Sequence, residues 1–403
     1  MNTKARLLGL SLATLAFVSC TKDNDDVLVD NTPKYNVPET YTFDRNGATT
    51  VDYAGQTTRL MMLQEMGDYV KKQSTDGVVV DATKLVNMYK NTNTPFLLPE
   101  LNAATDKQLR NKTAASKEFF VELQGGGTTV EQVAERQFFE DLLTSLTTAG
   151  NPAVNAAAGV AGTYTDKRFY ATNGLEPIQV VLKGLMGSCF MDQVVNNYLS
   201  TSVLDEASNR VNNTNKVLVA GKNYTDMEHK WDEAYGYIYG AGGGKFWDSY
   251  INQVNADVDF NTIKAAINLA FRKGRAAIVN NDYDTRDAQI AVIKENLAKV
   301  AAVRAVYYLK AGKEKLTSGD NGIKAFHDLS EGYGFIKALR YTNKPGTKAP
   351  YMSKAEVDKI LNDLIGGTNG LWDIDYLNAK IDGLANQIAS KFGFTVAQAE
   401  KVN

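Results

Sequence analysis

From about residue 55 the apolar positions recur every three to four residues, the period of a helix with one face on a core. Val130, Val133, Ala134, Phe138, Leu142 and Leu146 form one such series, and Ile290, Ile293, Leu297, Val300 and Tyr307 form another. Three helix starts are marked by a hydroxyl residue followed three positions later by glutamate: Thr128 with Glu131, Thr225 with Glu228, and Ser353 with Glu356. In that arrangement each side chain caps the other's backbone N–H. Glycine- and alanine-rich stretches at 124–128, 150–163, 240–244 and 365–370 separate the helical runs. Only residues 40–53 alternate, around Asn46-Gly47, which predicts a small β-hairpin. The expected class is therefore all-α, with a small N-terminal β-hairpin.

The first 38 residues carry an address. Lys4 and Arg6 precede an apolar run from Leu7 to Val18, too short to span a bilayer and suited to an export signal. Phe17-Val18-Ser19-Cys20 is similar to a bacterial lipobox, so residues 1–19 are expected to be a lipoprotein signal peptide and Cys20 the lipidated residue. The alternative is a plain secretory signal that ends near a cysteine. Residues 20–38 read as an acidic tether, with Thr-Lys-Asp-Asn-Asp-Asp after the anchor and prolines at 33 and 38. The acidic run resembles the signal that sends Bacteroidota-type lipoproteins to the outer face of the outer membrane; otherwise it is a solvated spacer. The expected location is the outer membrane, lipid-anchored and facing the cell exterior.

Composition narrows the chemistry. Over 403 residues, 44 Lys and Arg stand against 46 Asp and Glu, which argues against a general nucleic-acid binder. Two cysteines, Cys20 and Cys189, exclude a disulfide framework and a cysteine-rich zinc module. Cys189 lies in the apolar stretch 185–190, where core packing is the natural reading.

The two histidines share a setting. His229-Lys-Trp-Asp-Glu233-Ala-Tyr235-Gly236-Tyr237-Ile238 and His327-Asp-Leu-Ser-Glu331-Gly-Tyr333-Gly334-Phe335-Ile336 both follow H-x-x-x-E-small-Tyr-Gly-aromatic-Ile. Fainter echoes surround them: Tyr198-Leu199 and Tyr308-Leu309 close similar runs, and Trp247-Asp248 and Trp372-Asp373 follow the motifs. This pattern predicts an internal duplication, with the hairpin and a first helical bundle over 39–256 and a second bundle over 257–403. On a helix His229, Glu233 and Gly236 share a face, as do His327, Glu331 and Gly334. A glycine there costs about 1 kcal/mol against alanine, so close approach of a neighbouring helix is expected at each. If the two stripes meet, His229, Glu233, His327 and Glu331 form a ligand set for a divalent metal, iron or zinc. Asp232 and Asp328 would then be alternative ligands or acceptors for the imidazole N–H. The bland reading is a hydrogen-bonded His–Glu pair on each helix.

Familiar catalytic patterns are missing: Gly240-Ala-Gly-Gly-Gly-Lys245 lacks the strand and hydroxyl of a phosphate loop, and no H-E-x-x-H or G-x-S-x-G occurs. A lipidated helical chain with two related bundles and a His–carboxylate helix motif resembles the imelysin-like superfamily. More closely, through Gly184-Leu-Met-Gly187 and His229-Lys-Trp-Asp-Glu233-Ala-Tyr-Gly236, it is similar to the uncharacterised Bacteroidota helical lipoproteins related to that group. The family carries a G-x-H-x-x-E motif; here Met227 stands at the glycine position, Asp232 at the glutamate position, and Glu233 follows one residue later. The resemblance implies a surface-anchored protein that binds metal, iron first, in nutrient acquisition, in contact with the membrane and with an iron-uptake partner. The alternatives are a non-catalytic scaffold or interaction lipoprotein without metal, and, third, a metal-dependent peptidase.

Overall fold

The Asn46-Gly47 dipeptide makes the turn its residue types demand. Asn46 and Gly47 have φ of 54° and 78°, the left-handed pair that a two-residue hairpin requires. They join Asp44–Arg45 to Ala48–Thr49 in antiparallel register, with Asp44 opposite Thr49. The side-chain amide of Asn223 donates to the carbonyls of Arg45, Ala48 and Thr49, and Arg45 pairs with Glu228 at 2.8 Å. Through these contacts the hairpin is fixed to the start of the first motif helix. The structure, a computed structural model, describes residues 35–317 and 322–401. The expected signal peptide, Cys20 and the tether as far as residue 34 lie outside the described residues.

The rest is helical, as the periodicity predicts. A second antiparallel pair, Gly162–Thr163 with Phe169–Tyr170, has strands of two residues, too short to produce an alternating signal. The 33-residue helix Tyr283–Lys315 is the hub: the helices Ile263–Val279, Ile323–Ala338 and Ile374–Phe392 all pack on it. Its Ile290, Ile293, Leu297 and Val300 are buried as expected. The helix Pro177–Tyr198 is apolar and long enough to cross a membrane, yet 83% of its apolar window is buried inside the protein. It is a core helix, and it carries Cys189, whose fully buried thiol is pushed up to about 12 by desolvation. One continuous core runs from Leu60 to Ala399 through both expected bundles, and residues from Tyr35 onward form one compact unit.

The first two turns of one predicted face point outward. In the helix Thr129–Ala149, Val130 and Val133 are 77% and 65% exposed, while Glu131, Glu135, Phe139, Leu143 and Leu146 are buried. Glu131 accepts two hydrogen bonds from Arg340, at 2.8 and 3.1 Å, and Glu135 pairs with Lys337 at 2.7 Å. Those partners rotate the helix so that its acidic residues point inward. The same pairing explains the caps. Thr225 with Glu228 and Ser353 with Glu356 cap reciprocally, whereas Thr128 caps the Glu131 N–H but the Glu131 carboxylate goes to Arg340.

Candidate functional site

The second motif lies on the helix Ile323–Ala338, whose His327 and Glu331 line a cleft of about 650 Å³. The cleft's other wall is the start of the Pro177–Tyr198 helix. Pro177 at the first turn places Glu176 just before it, where an acid suits the helix dipole. The Glu176 N–H donates to Ser330 Oγ at 2.8 Å, joining the two helices. Glu176 Oε2 lies 2.7 Å from His327 Nδ1, and Arg168 approaches the other oxygen at 3.4 Å. His327 Nε2 faces Glu331 Oε1 at 3.8 Å, and Lys183 reaches the same oxygen at 3.1 Å. Burial alone would push the imidazole pKa down. The hydrogen bond and charge of Glu176, with Glu331, outweigh burial and hold it above its usual value. Burial likewise opposes ionised Glu331, but Lys183 and His327 keep its pKa below the ordinary carboxylate range.

The cleft carries polarity that the fold does not use. Gln179 Oε1 is buried without a hydrogen-bond partner. Lys71, Lys167 and Lys245 line the cleft, and none has a carboxylate partner among the described residues. Phe246 and Tyr250 supply aromatic surface, with the Lys183 ammonium 5.3 Å from the centre of the Tyr250 ring.

The first motif lies on the helix Asp226–Tyr239, and its His229 and Glu233 line a different cavity, of about 390 Å³. His229 Nε2 is 4.0 Å from Glu233 Oε2, and the ring stacks on Tyr224 with centroids 4.5 Å apart. Glu233 also accepts from the Gln56 amide at 2.8 Å. The two motif glutamates have parallel surroundings: the hydroxyl of Tyr198 acts on Glu233 and that of Tyr308 on Glu331. Both motif glycines sit at close approaches. A Cβ on Gly236 would come 2.4 Å from Tyr53 Cβ, and one on Gly334 would come 2.5 Å from Lys183 Cβ and 3.0 Å from the Gly184 nitrogen.

The expected four-residue metal centre is not formed. The two cavities share no lining residue. Gln56, bound to Glu233, and Gly67, packed on Leu182 beside the larger cleft, are separated along the Ala54–Asp76 helix by about 16 Å of rise. Among the described residues no group of three or more His, Cys, Asp and Glu side chains could hold a metal ion. The remaining expected ligands are occupied by protein cations. Asp232 accepts from Arg275 Nε at 2.9 Å and from the Tyr41 hydroxyl at 2.7 Å, and Asp328 pairs with Lys315. Glu331 is held by Lys183. A divalent ion at Glu331 would compete with the half-buried Lys183 ammonium for the same oxygen. The sequence reading missed Glu176, Gln179 and Lys183, which lie some 150 residues from the motif they face. The Glu-Pro helix start was the one local sign of an acid held at a helix terminus.

Residues 38–395 match DUF4856, a domain of unknown function, and the chain belongs to that family. No curated protein and no solved structure matches the chain.

Proposed function

We propose that this DUF4856 chain is a lipid-anchored, non-catalytic binding protein of the cell exterior, held at the membrane through Cys20, that takes a small acidic organic ligand into the cleft beside His327. The carrying observation is the unpartnered, buried Gln179 Oε1 in a cleft with three lysines that lack acidic partners among the described residues. A buried acceptor without a donor costs about 1–3 kcal/mol, which a ligand hydroxyl or N–H would recover. The exposed lysines at the cleft's rim outnumber its one unpaired acid, Asp68, and so favour an anionic group, while Phe246 and Tyr250 offer apolar surface to the ligand's carbon frame.

Binding is favoured over turnover because both imidazole nitrogens of His327 face carboxylates, and the one described thiol is fully buried. The export signal and the imelysin-like resemblance support a role in nutrient capture. Iron is the competing cargo in that resemblance, so the test carries a metal arm. The full-length chain, purified in detergent, should melt at higher temperature with galacturonate, glutamate or citrate than with galactose or glutamine at matched ionic strength. The gain should vanish in Lys71→Glu and Lys245→Glu. No response to any of the acids, or stoichiometric iron or zinc retained by the purified chain, would sink this reading. Labelling of cells with a fatty-acid analogue should mark wild type and not Cys20→Ala.

A further inference from the structure

The cavity at the first motif has a different charge pattern from the cleft at the second. Arg59 is only 5% exposed, and its guanidinium donates to the backbone carbonyls of Gln108 and Gly55 at 3.0 and 3.2 Å. Among the described residues no carboxylate lies within ion-pair distance of it. Lys112 shares the cavity; its ammonium reaches the Tyr198 hydroxyl at 3.4 Å, and among the described residues it too has no carboxylate within ion-pair distance. Burial, and then the charge of Arg59, hold the Lys112 pKa below its ordinary value. The third wall is His229, whose Nδ1 is buried without a partner.

The acids of this cavity are already engaged. Asp52 holds Lys222 at 3.2 Å, and Glu233 accepts from Gln56 and faces His229. Glu233 is the one carboxylate whose charge both Arg59 and Lys112 feel, and it is shared with Lys230 at 3.8 Å, so a second anion in the cavity would relieve cations that one acid serves. We propose that this cavity binds a phosphate group, with the Arg59 guanidinium and the Lys112 ammonium as its charged donors and His229 as the third contact. A guanidinium and an ammonium offer several donors from different directions, which suits a tetrahedral oxyanion. Protonated, His229 Nδ1 donates to it; neutral, it accepts from the hydroxyl of a phosphate monoanion. The volume of about 390 Å³ exceeds one phosphate, leaving room for the carbon part of a monoester.

The test compares melting of the full-length chain with inorganic phosphate, glycerol phosphate, and chloride at matched ionic strength. Phosphate in either form should raise the wild-type melting temperature, and a larger response to the ester would identify a phosphate monoester as the ligand. Lys112→Met should melt at or above wild type without phosphate, because a half-buried cation with no carboxylate in ion-pair distance is gone, and its affinity for phosphate should fall at least tenfold. Arg59→Lys keeps the charge but loses the fork, and should weaken binding while the chain still folds. Lys245→Glu, in the other cleft, should leave the phosphate response intact, which separates this site from the one under the proposed function. The proposal is overturned if neither form acts beyond ionic strength, or if Lys112→Met and Arg59→Lys respond as wild type does.

Discussion

At the scale of single residues, the two motif glycines show how a sequence cost reports a packing need. Gly334 lies mid-helix, where alanine would be favoured by about 1 kcal/mol on intrinsic propensity. The atoms that a new Cβ would meet are Lys183 Cβ and the Gly184 backbone nitrogen, and neither can swing aside. Overpacking of this kind costs about 1–3 kcal/mol, so the steric term wins. Gly334→Ala should therefore lower stability, by up to about 2 kcal/mol once the propensity gain is subtracted. Gly383→Ala supplies the control: Gly383 is exposed in the helix Ile374–Phe392, with nothing within 4 Å of a new Cβ. That substitution should stabilise by about 0.5–1 kcal/mol through propensity alone. Urea midpoints of the two variants should move in opposite directions; if both rise, the close helix approach is not a constraint on this chain. These glycines were legible from the sequence because their signal is local, as was the Asn46-Gly47 turn. Glu176 was not, because its partner His327 lies 151 residues away and no local pattern encodes that distance.

At the scale of elements, the helix Thr129–Ala149 separates what periodicity can decide from what it cannot. The spacing gave a helix and the cap residue placed its start at Thr128, both correctly. The inward face held further along, where Leu146 is buried and Phe138 and Leu142 pack against the core, and failed in the first two turns, because Val130 and Val133 sit on one side and Glu131 and Glu135 on the other, and hydropathy ranks valine as the core residue. The outcome was decided by distant cations: Arg340 and Lys337 cross to meet the glutamates. Glu131 and Arg340 are both nearly buried, so removing one partner strands the other's charge, at a cost on the order of 3 kcal/mol. Glu131→Gln should lose that much, whereas Val133→Ala, on an exposed face, should change stability by less than about 0.5 kcal/mol. Denaturation of the two variants side by side checks the orientation. A large loss in Val133→Ala with little in Glu131→Gln would restore the apolar face that the sequence pattern suggests.

At the scale of the whole molecule, the question is whether residues 257–403 are a bundle in their own right. The motif helix Ile323–Ala338 answers from its two sides. One side packs on the hub helix Tyr283–Lys315, inside that segment, but the other lies on Pro177–Leu185, outside it. Gly334 abuts Lys183 and Gly184, Glu331 pairs with Lys183, and Ser330 accepts from the Glu176 N–H. The hub helix itself also packs on Trp247–Ala256. Separating the chain at 256 would expose an apolar face along the motif helix and leave Glu331 without its lysine. Burial of apolar surface contributes roughly 25 cal/mol per Å², so a newly exposed helix face of a few hundred Å² removes several kcal/mol. That is comparable to the entire stability of an ordinary domain. Residues 257–403 expressed alone should therefore show helical circular dichroism at most, without a cooperative thermal transition. Co-expression with residues 1–256 should restore one. If the isolated segment melts cooperatively and gives dispersed amide resonances, the chain is two bundles joined end to end, and the continuous core is an interface between two domains that fold independently.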